Sequence, residues 1–132
     1  MRAVAKAAIA TLRKRTPGAV EFVYDKANAL VIGFGPNERA SDALFSIALY
    51  SRYVNFYFLQ GASLDDPQGL LQGSGSQVRY IRLDPDASVL DRPGIRALIA
   101  LSLKESDVPL DTTRRRKLLI RLVSAGRRRR FA

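Results

Sequence analysis

"LFSIALYSRYVNFYFL", residues 44–59, decides the fold. Large apolar residues alternate with small or polar ones on either side of Ser51-Arg52, the pattern of two half-buried β-strands joined by a tight turn. Ser-Arg is not a favoured turn pair, so the periodicity carries the assignment. Parity then sorts the side chains. Phe45, Ile47 and Leu49 on the first strand and Val54, Phe56 and Phe58 on the second are assigned to a core. Ser46, Ala48, Tyr50, Tyr53, Asn55 and Tyr57 take the opposite face.

Upstream, "VEFVYD" (20–25) and "NALVIGF" (28–34) are β-rich runs separated by a short turn around Asp25, Lys26 and Ala27, and read as a hairpin. With Leu30, Ile32 and Phe34 facing inward, Ala29, Val31 and Gly33 extend the small-residue floor of the outer face. Residues 2–15 are predicted to be helical, with Ala5, Ile9 and Leu12 on one stripe and Pro17-Gly18 as the stop.

Downstream, Asp66 is expected to cap a one- or two-turn helix that starts at Pro67, buries Leu70 and Leu71 and stops at Gly73. "QVRYIRL" (77–83) supplies a fifth strand. Asp91 is expected to cap a helix with Ile95, Leu98, Ile99 and Leu103 on its apolar stripe, closed by Pro109. A last helix is expected from Asp111 to about Ala125, before Gly126 and "RRRRFA". The order α-β-β-β-β-(short α)-β-α-α leaves no helical crossover between strands. It predicts a two-layer α+β fold: an antiparallel sheet of about five strands with helices packed on one face.

At 132 residues, 47% hydrophobic and 26% charged, the chain has the composition of one globular domain, and it contains no apolar run of roughly 18 residues. The N-terminal "MRAVAKAAIATLRKR" is basic without an acid, but Lys6 interrupts its apolar stretch. It reads as part of the fold, and a cytoplasmic location is expected. Cysteine and histidine are both absent, which excludes disulfides, thiolate metal sites and any histidine-based acid-base catalysis within the chain. No activated nucleophile or paired acid and base can be assembled, so the chain reads as noncatalytic, with no cofactor or metal called for.

Three groups of residues invite a binding role. Gly33-Phe34-Gly35 follows a strand but lacks the third glycine and the helix of a dinucleotide fingerprint, and no Gly-Lys-Ser/Thr occurs; these glycines read as bend positions. The turn "GSGS" (73–76) could instead present successive N–H groups to an anion, with Arg82 rather than Arg79 on the side of Tyr80, which selects Gly73, Gly75 and Arg82. On the outer face, Tyr50, Tyr53, Asn55 and Tyr57 offer rings with polar tips around small residues, suited to recognition. A half-solvated face, or one covered by the short or C-terminal helix, would show the same pattern. Asp65-Asp66 and Asp84-x-Asp86 stand at proline-flanked starts and read as caps.

The net charge of +10 is uneven. Residues 1–105 carry 13 basic and 10 acidic side chains and residues 106–132 carry nine and two, so the last segment holds +7 of it. Arg114, Arg115, Arg116, Lys117, Arg121, Arg127, Arg128, Arg129 and Arg130 are candidate contacts to nucleic acid. An anionic membrane, or plain solvation with the leucines packed on the domain, accounts for the same pattern.

"GFGPNERASDALFSIALY" and "VNFYFLQGASLDDPQGLLQGSGSQVRYIRL" resemble the YdhG-like domain of unknown function, a bacterial family of small domains, over about Leu12 to Leu103. The resemblance implies a frataxin-like arrangement of helices against an antiparallel sheet. It carries over no catalytic residue. An iron-chaperone role, linked to some relatives, is not transferred, because the first helix lacks the carboxylates of a frataxin acidic ridge. With the domain assigned to residues 1–109, residues 110–132 stand as a basic C-terminal helix and arginine-rich tail outside the family pattern. The expected function is a binding or adaptor domain that holds a small anionic ligand or a protein partner on the outer sheet face. The alternative is a nucleic-acid-associated protein that uses its tail.

Overall fold

A computed structural model of the chain describes residues 2–26 and 28–121. Alanine-rich sequence without internal proline or glycine forms helix α1 (Arg2–Arg15), which buries Ala5, Ala8 and Leu12. After the Pro17-Gly18 turn, β1 (Val20–Asp25) and β2 (Ala29–Gly35) form the expected hairpin. Next come β3 (Phe45–Tyr50) and β4 (Val54–Phe58), paired across Ser51-Arg52, with the Tyr50 amide donating to the Tyr53 carbonyl at 2.9 Å. Among the described residues only glycines have positive φ, so this hairpin closes without the mirror-image turn that two-residue loops prefer. Then β5 (Arg79–Arg82) joins β4, α2 (Pro93–Glu105) follows, and β6 (Lys117–Arg121) completes the described chain.

The fold is α+β. Among the described residues six strands lie in the order β5-β4-β3-β2-β1-β6, all antiparallel except β6, which runs parallel to β1. The parity read from residues 44–59 governs the register. Phe34, Phe45 and Phe58 form one cross-strand row, and Ile32, Ile47, Phe56 and Ile81 the next. These rows share one core cluster with Ala8 and Leu12 of α1 and Ile95, Leu98 and Ile99 of α2; Leu103 packs against its edge. Phe45, Phe56 and Phe58 stack around one another, with centroids 4.8 to 5.8 Å apart. No helix among the described residues is long and apolar enough to cross a membrane.

Three expectations are corrected. Asp66 does accept from the Leu70 and Leu71 amides, both at 2.9 Å, but no helix follows: Gly69 at φ 64° breaks the turn directly after Pro67-Gln68. The residue before α2 is Arg92 instead of Asp91, whose carboxylate pairs with Arg15 of α1 at 2.7 Å. The third correction concerns the largest element. Residues 117–121 form a strand in place of the middle of a helix from Asp111 to Ala125, so the sheet has six strands instead of about five and is mixed instead of purely antiparallel.

Tertiary anchors explain the strand. A short apolar run such as "KLLIR" fits either element by periodicity. Here the preceding strap is fixed at the α1–β1 corner. Gly18 has φ 78°, and a Cβ there would stand 2.0 Å from the Asp111 carbonyl oxygen. Arg114 donates to the carbonyls of Gly18 and Pro36, while Arg116 donates to Glu21 at 2.8 Å and to the Arg13 carbonyl at 2.9 Å. Glu21 is only 1% exposed and also binds Arg13 through both oxygens, at 2.9 and 3.0 Å. The Glu21 hydrogen bond raises the Arg13 pKa above its ordinary value. One buried carboxylate therefore ties α1, β1 and the strap together, and the strap delivers the chain to the free edge of β1.

Candidate functional site

Opposite the core, the sheet presents Ala29, Val31 and Gly33 on β2, Ser46, Ala48 and Tyr50 on β3, Asn55 and Tyr57 on β4, and Tyr80 and Arg82 on β5. Tyr53 stacks on Tyr50 with ring centroids 4.4 Å apart, and Tyr24 of β1 shares the row of Val31. All five tyrosines of the chain thus belong to this face. Its β1 end is closed, because Val20 and Phe22 have the same parity and are buried.

Tyr50 and Tyr57 stand two same-face rows apart, yet their hydroxyls meet at 2.8 Å. The bridge spans the row of Ala48 and Asn55, which accounts for their burial although they face away from the core. Burial first, then the hydrogen bond to Tyr57, raises the Tyr50 phenol pKa above its ordinary value, so the Tyr50 hydroxyl keeps its proton near neutral pH. Asn55 Nδ2 donates to the Tyr57 hydroxyl at 3.2 Å, while Asn55 Oδ1 is buried without a hydrogen-bond partner among the described residues. Asn55 is 7% exposed, so an unsatisfied amide oxygen here is unfavourable by about 1–3 kcal/mol, the kind of local cost that binding sites carry.

A cavity of about 560 Å³ opens beside this bridge, lined by Lys26, Ala29, Val31, Ala48, Tyr50 and Tyr57 among others. Its floor is small and apolar, its wall carries phenol hydroxyls and the Ser46 hydroxyl, and among the described residues Lys26 is the one charged residue lining it. That combination accepts a flat apolar body with a single negative group. Sequence reasoning had found the floor and the tyrosines but missed Lys26, which lies in the β1–β2 turn where strand parity assigns no direction.

The glycine turn is assembled differently. Arg79, not Arg82, engages it by donating to the Gly75 carbonyl at 2.5 Å, and Gly73 at φ 113° sits against Val78, Arg79 and Tyr80. Arg82 turns the other way. Its guanidinium lies 4.5 Å from the Tyr53 ring centroid and donates to Asp84 Oδ1 at 2.6 Å. Asp84 Oδ1 also accepts from the Val54 amide, and together these donors, Arg82 first, hold its carboxyl below the usual range. Arg82 thus belongs to the tyrosine cluster and is already paired with a carboxylate.

Among the described residues, three cations of the basic segment are engaged with the fold. Arg114 holds two backbone carbonyls, Arg116 pairs with Glu21, and Lys117 pairs with Glu38. Arg115 is exposed. Arg121 ends β6, and Arg127, Arg128, Arg129 and Arg130 lie outside the described residues. A second cavity, about 320 Å³, is lined by Asp42, Glu105 and Asp107 with several serines, but no group of three or more acidic side chains among the described residues is arranged to hold a metal ion. No protein-family model matches the chain, and neither a curated protein nor a solved structure is significantly similar to it.

Proposed function

We propose that the chain is a noncatalytic binding module whose ligand is a small, flat monoanion held in the outer-face cavity. The observation that carries this reading is the pairing of a small apolar floor with a single lining charge among the described residues, Lys26, in a space of about 560 Å³. A planar body would rest on Ala29 and Val31 and against the rings of Tyr50 and Tyr57, and its anion would meet the Lys26 ammonium. The phenols would supply neutral hydrogen bonds to the rest of the molecule. A two-layer arrangement, with α1 and α2 together covering the opposite face, is part of this reading; both helices contribute to the same phenylalanine-rich cluster. Membership of the YdhG-like family is likewise proposed on the quoted residues alone.

Titration with 2-naphthoate and its neutral amide, 2-naphthamide, tests the reading. Calorimetry supplies the affinity, and the tyrosine ring resonances report the face. Naphthoate is expected to bind and shift Tyr50 and Tyr57, naphthamide to bind at least about tenfold more weakly, and Lys26→Gln to remove that difference, a charge-assisted contact being worth about 1.5–3 kcal/mol. Equal binding of acid and amide, or shifts confined to residues elsewhere, would refute the assignment.

A further inference from the structure

We infer that the solvent face of α1 is a docking surface for the phosphate backbone of duplex DNA, distinct from the outer-face cavity and from the arginine-rich tail. The helix is divided cleanly. Ala5, Ala8 and Leu12 are buried, Val4 and Ile9 pack at the core edge, and Arg2, Lys6, Ala10, Arg13 and Lys14 are exposed. No acidic residue occurs anywhere in α1. Among the described residues Arg2, Lys6 and Lys14 have no ion-pair partner, in contrast to Arg114 and Arg116 of the strap and Lys117 of β6, which are engaged within the fold. Arg116 docks on the Arg13 carbonyl, so exposed Arg115 adds its charge beside the last turn of the helix.

Placement and spacing favour a polyanion. Arg2 and Lys6 occupy the first turns, where the helix dipole makes cations unfavourable and acids are the usual choice. A sequence that gives up local stability in this way is expected to recover it on binding an anion. From Arg2 to Lys14 the helix rises about 18 Å, the axial span of about five phosphates on one DNA strand. The exposed residues between the cations, Ala3, Ala7 and Ala10, are alanines, which let the helix backbone approach closely.

The same face argues against two other polyanions. It carries no large apolar side chain to enter a lipid interface, since the apolar side of α1 is committed to the core. It carries no aromatic ring on which single-stranded bases could stack; the tyrosines take the strand parity opposite to the phenylalanines that contact α1. Contacts limited to phosphates predict binding that is indifferent to sequence and steeply dependent on salt.

The test is fluorescence anisotropy of the full chain with a labelled mixed-sequence duplex of about 24 base pairs, between about 50 and 200 mM salt. The triple variant Arg2→Gln/Lys6→Gln/Lys14→Gln is compared with Arg92→Gln/Arg96→Gln/Lys104→Gln, which removes the same charge from exposed positions on or beside α2. The α1 variant should bind at least about tenfold more weakly, with a salt slope lower by about 2–3, while the α2 variant stays within about twofold of wild type. Because the replaced side chains are exposed, both variants should stay folded by circular dichroism, and loss of the two cations from the first turns of α1 should not weaken that helix. Equal losses in both variants would reduce the effect to net charge and overturn the inference. So would an absence of duplex binding at the lowest salt, binding abolished by replacing Arg127–Arg130 alone, or binding confined to phosphatidylserine vesicles.

Discussion

At the residue scale, Asp84 shows how one side chain organises one end of the tyrosine face. Its Oδ1 accepts from Arg82 and from the Val54 amide, and Arg82 in turn lies on Tyr53. Because its pKa is lowered in the folded state, this carboxylate contributes stability that is present above the unfolded value, near 3.9, and is lost as pH falls through the lower folded value. Asp84→Asn should therefore be less stable than wild type at pH 7, with the gap in melting temperature constant down to about pH 5 and closing below about pH 4. A gap that stayed the same at pH 3 would show that the charge of Asp84 is not what stabilises this corner. The capping role read from the proline-flanked Asp84-x-Asp86 falls to Asp86, which accepts from the Ser88 amide at 2.9 Å, whereas Asp84 binds the Val54 amide of β4.

At the scale of elements, the regular strands and both helices were legible because their periods were unbroken: alternation over residues 44–59, and stripes such as Ile95, Leu98 and Ile99. The sixth strand was not. Five residues with basic ends and three apolar centres satisfy either period, and the partners that decide the matter, Gly18, Glu21 and Pro36, are roughly 80 to 100 positions away in sequence. Gly18 is the most exacting of these, since it combines a positive φ with an approach that excludes any Cβ. Gly18→Ala should destabilise the chain to urea by at least about 2 kcal/mol and strip β6 amides of their protection from hydrogen exchange while those of β3 and β4 remain slow. Wild-type stability with full protection of β6 would mean that the strap is not seated on this corner. Exposed Leu118 and Ile120, at 53% and 71%, show that β6 is held by its edge pairing and its anchors more than by burial of its own side chains.

At the scale of the whole molecule, the alternation that fixes the core also fixes what remains. Phe34, Phe45, Phe56 and Phe58 are consumed by the cluster shared with the helices, and all five tyrosines, with Phe22 and a row of alanine, serine and glycine, are left on the other side. That division could be read from residues 29–57. The closed β1 end, the phenol bridge and the lysine at the cavity could not, because each depends on side chains meeting across rows or beyond a strand end. Filling the cavity tests the central claim most directly. Ala29 lines it without being part of the core, so Ala29→Phe should keep the wild-type melting temperature within about 2 °C, well inside the range of surface substitutions. In the 2-naphthoate titration this variant should lose calorimetric binding and the Tyr50 and Tyr57 shifts together. Undiminished affinity in a folded Ala29→Phe protein would place the ligand elsewhere and contradict the account.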